Sequence, residues 1–405
     1  MKEEVVIIGA GRSGRGMLGE MYYTDGSYHI TFADRDASLV SGLRKQGYYT
    51  VHMSNVKMGT SRETRVEGFD ILDTQADHDA YIQAMCRARF ISTALMPDAF
   101  DQVIADLAEM VRARMGLGLT EPQFITLGAN YVGLFEYYDK GLRALFTPEE
   151  AAYFDSCIYL VMSIVNRKNM LPPAEEREVD PYRIIGDDKA VLRVEDLAEL
   201  RAFPHLPGFF QLEKNLSAAM VVKIWTGNLV QCSMAFVALA HGLEDSYTAS
   251  FHPLASKYAY YAAAEGYAGV AAQYGLPPRT QEESRQPVTV FRTKNVNDSL
   301  YRIVREPIRK LGKNDRLIGP ALCAARHGIL PYYICRSCAY AYLYRNERDP
   351  QSIQLQEMLT RDGIEATVAQ VSGLNPSVVE EKLVLDLIVS AYRDICGQDP
   401  LENSN

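Results

Sequence analysis

The stretch whose reading decides the fold is Val5-Val6-Ile7-Ile8-Gly9-Ala10-Gly11-Arg12-Ser13-Gly14-Arg15-Gly16. Residues 5–8 are a short unbroken apolar run ending in glycine, the pattern of a central parallel strand buried on both faces. The run feeds a G-x-G-x-x-G loop at Gly9, Gly11 and Gly14, and a helical pattern begins at Gly14. The first glycine permits a tight turn, and the second lets the backbone approach a pyrophosphate. The third lets the helix pack close to the strand, so that the helix N-terminus faces the phosphates. An acidic residue, Asp34, closes the next strand pattern, HITFAD at 29–34. It is placed to accept hydrogen bonds from the adenosine ribose hydroxyls and to repel a 2′-phosphate. Gly9, Ala10, Gly11, Arg12, Ser13, Gly14, Asp34 and Arg35 are therefore the expected cofactor-binding set, with NAD the expected cofactor. Arg35, beside Asp34, leaves NADP open. The alternative is a glycine-rich turn of another α/β fold, such as a methyltransferase, whose core is usually one sheet domain.

Outward from this loop, the first ~200 residues alternate strand and helix patterns, as in a parallel α/β sheet. Strands are predicted at 29–34, 48–53, within 56–73, and at 89–95 and 123–129. Helices are predicted from 14 to about 23, over 37–47 and over 97–116. The character changes after AFPHLPGFF at 202–210, a Pro/Gly-bearing linker pattern. Long helical patterns follow at 213–242, 253–274, 298–311, 315–328, 350–361 and 376–395. The expected architecture is a Rossmann-like doubly wound sheet domain over 1–200 and an all-α domain over 201–405. The polar end GQDPLENSN is expected to fray.

A chain of 405 residues suits two domains. Its 47% apolar and 23% charged residues exclude a disordered chain, a fibrous repeat and a disulfide-dense mini-domain. The net charge of −9 disfavours nucleic acid as a partner. MKEE at the start has the wrong charge for a secretory signal. No apolar run is expected to reach the ~20 residues of a membrane helix, because Lys223 and Arg336 interrupt the two most apolar stretches. Seven scattered cysteines fit a cytoplasmic setting. Cys335 and Cys338 form a CxxC without a second pair, so no metal is expected. Tyr258, Tyr260, Tyr261 and Tyr267 read as packing or subunit contact.

One further stretch carries chemistry. Lys223 lies in Val221-Val222-Lys223-Ile224-Trp225, flanked by apolar residues including the sole tryptophan. An ammonium held among such groups loses its proton more easily and becomes a usable base. Asn228 and Gln231 would lie about 140° and about 80° around a regular helix from it, so that the three share one side. The same pattern also suits a lysine that extends to solvent.

Taken together these residues resemble the polyol-specific long-chain dehydrogenases, and most closely the mannitol 1-phosphate branch. The resemblance is carried by GAGRSGRGMLG with TFAD, by NLSAAMVVKIWTGN, by EPIRKLGKNDRLIGP at 306–320, and by DPQSIQLQEML and VAQVSGL. It implies zinc-independent oxidoreduction with NAD, and Lys223 as general acid/base. Asn130 and Asn228 would hold the substrate oxygen, an oxyanion hole made of two amide donors. The implied partner is a small polyol or sugar phosphate, mannitol 1-phosphate and fructose 6-phosphate first. A non-phosphorylated polyol or hexuronate, or a catalytically silent NAD-binding sensor, are the alternatives. The chain departs from the family pattern at two places, where Gln231 replaces a histidine and Asn166 an aspartate. Losing that carboxylate should lower the pKa of Lys223 relative to the family pattern.

Arg305, Arg309, Lys310, Lys313 and Arg316 cluster in the sequence. Arg309, Lys310 and Arg316 are the candidates for a substrate phosphate, since arginine pairs with phosphate bidentately. A solvated helix face is the alternative.

Overall fold

The computed structural model describes residues 2–55, 59–292 and 297–397. It divides into two compact units, Met1–Ser217 and Ala218–Asn405.

The first unit holds twelve strands. They are β1 (Glu3–Ile8), β2 (Tyr28–Asp34), β3 (Tyr48–Asn55), β4 (Thr60–Glu67), β5 (Asp70–Asp73) and β6 (Phe90–Thr93), then β7 (Gln123–Leu127), β8 (Ile158–Ile164), β9 (Asn169–Met170), β10 (Ile184–Asp187), β11 (Leu192–Glu195) and β12 (Phe210–Glu213). Eight form one sheet in the order β12-β11-β8-β7-β6-β1-β2-β5. All its neighbours pair in parallel except β11 with β8. The order reverses direction between β1 and β6, the position where open α/β sheets bind ligands beyond the strand ends. Val5, Val6, Ile7 and Ile8 are buried, as an unbroken apolar run in a central strand requires.

Local signals set the helix limits. Asp36 accepts from the N–H groups of Ser38 and Leu39 and opens the helix Ala37–Gln46, and Gly47 closes it at φ 70°. Thr147 and Glu150 form a capping box ahead of the helix Pro148–Cys157.

A second sheet, in the order β4-β3-β10-β9, lies in the same unit. A buried network ties it to the first helix. Arg167 donates to the carbonyl of Gly16 at 2.9 Å and to Glu20 at 2.7 Å, with both charged side chains sealed from solvent. Arg62 of β4 joins Glu20 at 3.0 Å. Asp180 accepts from Thr50 and Gln46. The unit extends to Ser217, past the Pro-bearing stretch at 202–210, because β12 adds in parallel to β11. The boundary expected near 200 thus moves C-terminally by one strand.

The second unit is helical. Leu229–Ala240, Pro253–Tyr274, Ile318–Arg326, Tyr332–Leu343, Pro350–Ser372 and Val379–Gly397 are its main helices. Pro350–Ser372 breaks at Gly363, φ 75°, close to the end predicted at 361. Tyr332–Leu343 was not predicted; it buries Cys335 and Cys338, and burial pushes both thiols up. One helical run, Leu216–Ala240, is long and apolar enough by length and composition to cross a membrane, which corrects the expectation that Lys223 interrupts it. Its apolar window is 72% buried, as in a core helix. Residues 56–58 of one predicted strand region and 398–405 of the predicted frayed end lie outside the described residues.

Candidate functional site

In the first unit the glycine loop, the ends of β1, β2 and β6, and the turn at 97–99 line a cleft of about 560 Å³. Gly9 has φ +97°, which a residue with a side chain rarely adopts. A Cβ on Gly14 would stand 1.8 Å from the Gly9 carbonyl oxygen, so the helix reaches the strand only without one. A Cβ on Gly11 would meet no atom within 4 Å and would project into open space. Arg12 is exposed and Ser13 half-buried. Arg15, one residue beyond the loop motif, is buried and donates to Ala10 O at 2.7 Å and to Tyr182 O at 2.9 Å, holding the loop from beneath.

Asp34 lines the cleft and binds the loop itself. Its Oδ2 accepts the N–H of Ala10 at 2.7 Å and its Oδ1 that of Asp36 at 3.0 Å. Arg35 also lines the cleft, with its guanidinium paired to Asp98, and that carboxylate holds the guanidinium in its charged form. Sequence reasoning missed Asp98, since nothing local marks a residue 63 positions away as the partner of Arg35.

Asn130 and Asn166 follow the C-terminal ends of β7 and β8, which pair in parallel with each other, β7 pairing in turn with β6. They therefore stand along the same sheet edge as the glycine loop. Asn130 is exposed and Asn166 half-buried. The Asn166 carbonyl oxygen Oδ1 is buried with no hydrogen-bond partner among the described residues.

In the second unit, residues 223–228 form a π-helical turn, Lys223–Asn228, rather than regular α-helix. Such single π turns recur at functional sites. The regular helix assumed in placing Lys223, Asn228 and Gln231 on one side is therefore replaced by a π turn over its first six residues. Gln231 follows in the helix Leu229–Ala240, half-buried. Close packing holds the turn. Trp225 donates its indole N–H to Asn314 O at 3.2 Å, and its ring leaves no room for a Cβ on Gly319. Thr226 donates to Val222 O at 2.5 Å.

The predicted phosphate cluster is largely paired internally. Arg309 binds Glu306 at 2.8 Å and Asp315 at 3.2 Å. Arg316 binds Asp315 at 2.7 Å, and Lys313 binds Glu381 at 2.7 Å. Lys310 is buried, donates to the carbonyl of Arg305, and is pushed down to about 8 by burial. Glu306 adopts φ 62°, a left-handed conformation that costs a non-glycine residue energy and that clusters at functional sites.

With this geometry in hand, residues 3–201 match the mannitol dehydrogenase Rossmann domain. Through residues 3–201 the first unit belongs to the mannitol dehydrogenase family. The fold of the chain is similar to Pseudomonas fluorescens mannitol 2-dehydrogenase, solved as a ternary complex with NAD and D-mannitol, with a TM-score of 0.73 at 14% identity over 98% of this chain and 92% of that one. A D-sorbitol dehydrogenase in substrate-free form is similar at a TM-score of 0.70 and 14% identity, covering 98% and 93%. An octopine dehydrogenase in complex with NADH and agmatine is similar at 0.53 and 12%, covering 92% and 99%. At these identities the likeness concerns the fold: a Rossmann-like sheet followed by a helical region. Among the described residues no cluster of three metal-ligating side chains occurs.

Proposed function

We propose that this protein is an NAD-dependent dehydrogenase interconverting a sugar alcohol and a ketose. The observation that carries the reading is the glycine-loop cleft of a mannitol dehydrogenase Rossmann domain, with Lys223 and Asn228 bounding a π turn in the second unit. The cofactor fits the first unit's cleft: Gly11 leaves the space a pyrophosphate needs, and the Asp34 carboxylate stands where ribose hydroxyls would donate. NAD, when bound, supplies the hydride acceptor. The mannitol dehydrogenase named above was solved with NAD and D-mannitol, which supports both the cofactor and the substrate class.

In oxidation, neutral Lys223 Nζ accepts the substrate hydroxyl proton as the carbinol hydrogen leaves as hydride. In reduction its ammonium returns that proton to the carbonyl oxygen. The side-chain amide of Asn228 donates to the oxygen as its charge develops, the role that the resemblance also gives to Asn130. Gln231, half-buried in the helix that follows the turn, and Asn166, at the end of β8, are neutral groups that could orient hydroxyls without titrating.

The substrate takes one of two forms. The resemblance of residues 306–320 points to a phosphate, with mannitol 1-phosphate and fructose 6-phosphate as the pair and Arg309, Lys310 and Arg316 as anchors. The internal pairing of Arg309 and Arg316 favours a non-phosphorylated polyol. The test is NADH oxidation with a panel of ketoses and ketose phosphates. Turnover of one ketose class supports the reading. NADH binding without turnover on any member would overturn it in favour of a silent sensor.

A further inference from the structure

A second cavity, of about 430 Å³, lies in the second unit and shares no residue with the set assigned to the reaction. Its walls carry Lys257, Arg285 and Arg292 together with Phe251, Tyr260 and Tyr261, and among the described residues no carboxylate lines it. Aromatic rings steer these three cations. The Arg285 guanidinium lies 5.7 Å from the Tyr260 ring centre, that of Arg292 lies 5.1 Å from Phe251, and the Lys257 ammonium lies 5.9 Å from Tyr333. Arg292 also donates Nε–H to Ser250 O at 3.3 Å. On the same helix, Glu283 is turned back onto Thr280 in a capping box.

A ring orients a guanidinium through its quadrupole without neutralising it. The 305–316 cluster spends its charge on Glu306, Asp315 and Glu381; this cavity keeps its charge. The rings also matter in themselves. Phe251 and Tyr261 are 53% and 42% exposed, so apolar surface stands beside fixed cations. A site with a few convergent polar groups on aromatic walls is the composition of a small-molecule pocket.

We infer that this cavity binds a phosphate monoester carrying a flat or apolar body, the phosphate between Arg285, Arg292 and Lys257 and the body against Tyr261 and Phe251. Arginine pairs with phosphate through two parallel N–H donors, and the two guanidinium groups are already held in place.

The experiment is isothermal titration of the full chain with phenyl phosphate, at matched ionic strength and with NADH saturating, so that the cofactor cleft does not compete. The inference expects saturable binding that weakens about tenfold or more in Arg285→Ala and in Arg292→Ala. Inorganic phosphate should bind more weakly than phenyl phosphate, since it lacks the ring. Arg309→Ala should leave the affinity unchanged. Absence of saturable heat, or equal binding by the Arg285→Ala/Arg292→Ala protein, would overturn the inference, as would loss of binding in Arg309→Ala. Arg285 and Arg292 are exposed, so melting curves matching the wild type are expected for their variants.

Discussion

Oδ2 of Asp34 accepts the backbone N–H of Ala10 at 2.7 Å, so the acidic end of β2 holds the glycine loop that follows β1. A single carboxylate thereby shapes the loop and faces the cleft.

Asp34→Ala should weaken NADH binding about tenfold or more, through loss of a charge-assisted acceptor. It should also shift the NADPH-to-NADH affinity ratio toward NADPH, because the repulsion of a 2′-phosphate goes with the carboxylate. Fluorescence titration of both nucleotides reads this directly. An unchanged ratio would remove Asp34 from cofactor choice.

Lys223→Met should lower kcat by about 10²–10⁴, the range for a positioned acid/base group, while NADH affinity stays near wild type. The pH dependence of kcat should lose one limb. Retained kcat would sink the assignment of Lys223.

How much of this was legible in the sequence differs by region. The β1 loop was readable because strand, turn and helix start lie within fifteen residues and each leaves a local mark. The small sheet was not, because β3 pairs with β10 across more than 130 positions. Strand β4, TSRETRVE, is largely exposed and carries little apolar alternation. At the candidate site, residue types were legible and their geometry was not. The spacing reads as one side of a regular helix; the π turn that replaces it packs Trp225 against a glycine nearly a hundred positions later, which no local pattern shows. The cations at 305–316 were visible, but Glu306, Asp315 and Glu381 show as their partners only in three dimensions.

Glu20→Leu should destabilise the first unit by about 3–5 kcal/mol, because it strands the sealed Arg167 guanidinium. Combining it with Arg167→Met should recover part of that loss. Urea unfolding of the single and double variants measures both values. Equal losses would show that the pair itself matters little.

Glu265 accepts the N–H groups of Tyr333 and Ile334 at 3.0 Å, yet burial pushes its carboxyl up to about 7 from the ordinary 4.5. Between those values the native state keeps a proton that the unfolded chain has released, so stability falls as pH rises through 4.5–7 and is level above. Glu265→Gln should therefore be more stable than wild type at pH 8 by up to about 3 kcal/mol, with the two converging below pH 4.5. A difference independent of pH in denaturant melts would refute this titration.

The π turn at 223–228 carries a last consequence. Its bonding is poorer than that of an α-helix, and it persists through the packing of Trp225 against Gly319. Loosening that packing would let the segment relax into ordinary helix, which changes the angle between Asn228 and Lys223 and shifts the phase of the residues that follow. Helix content, compactness and cofactor cleft would all survive the change. Inactivation would then arise from a slip of phase inside an intact helix, silent to circular dichroism and felt only by the reaction.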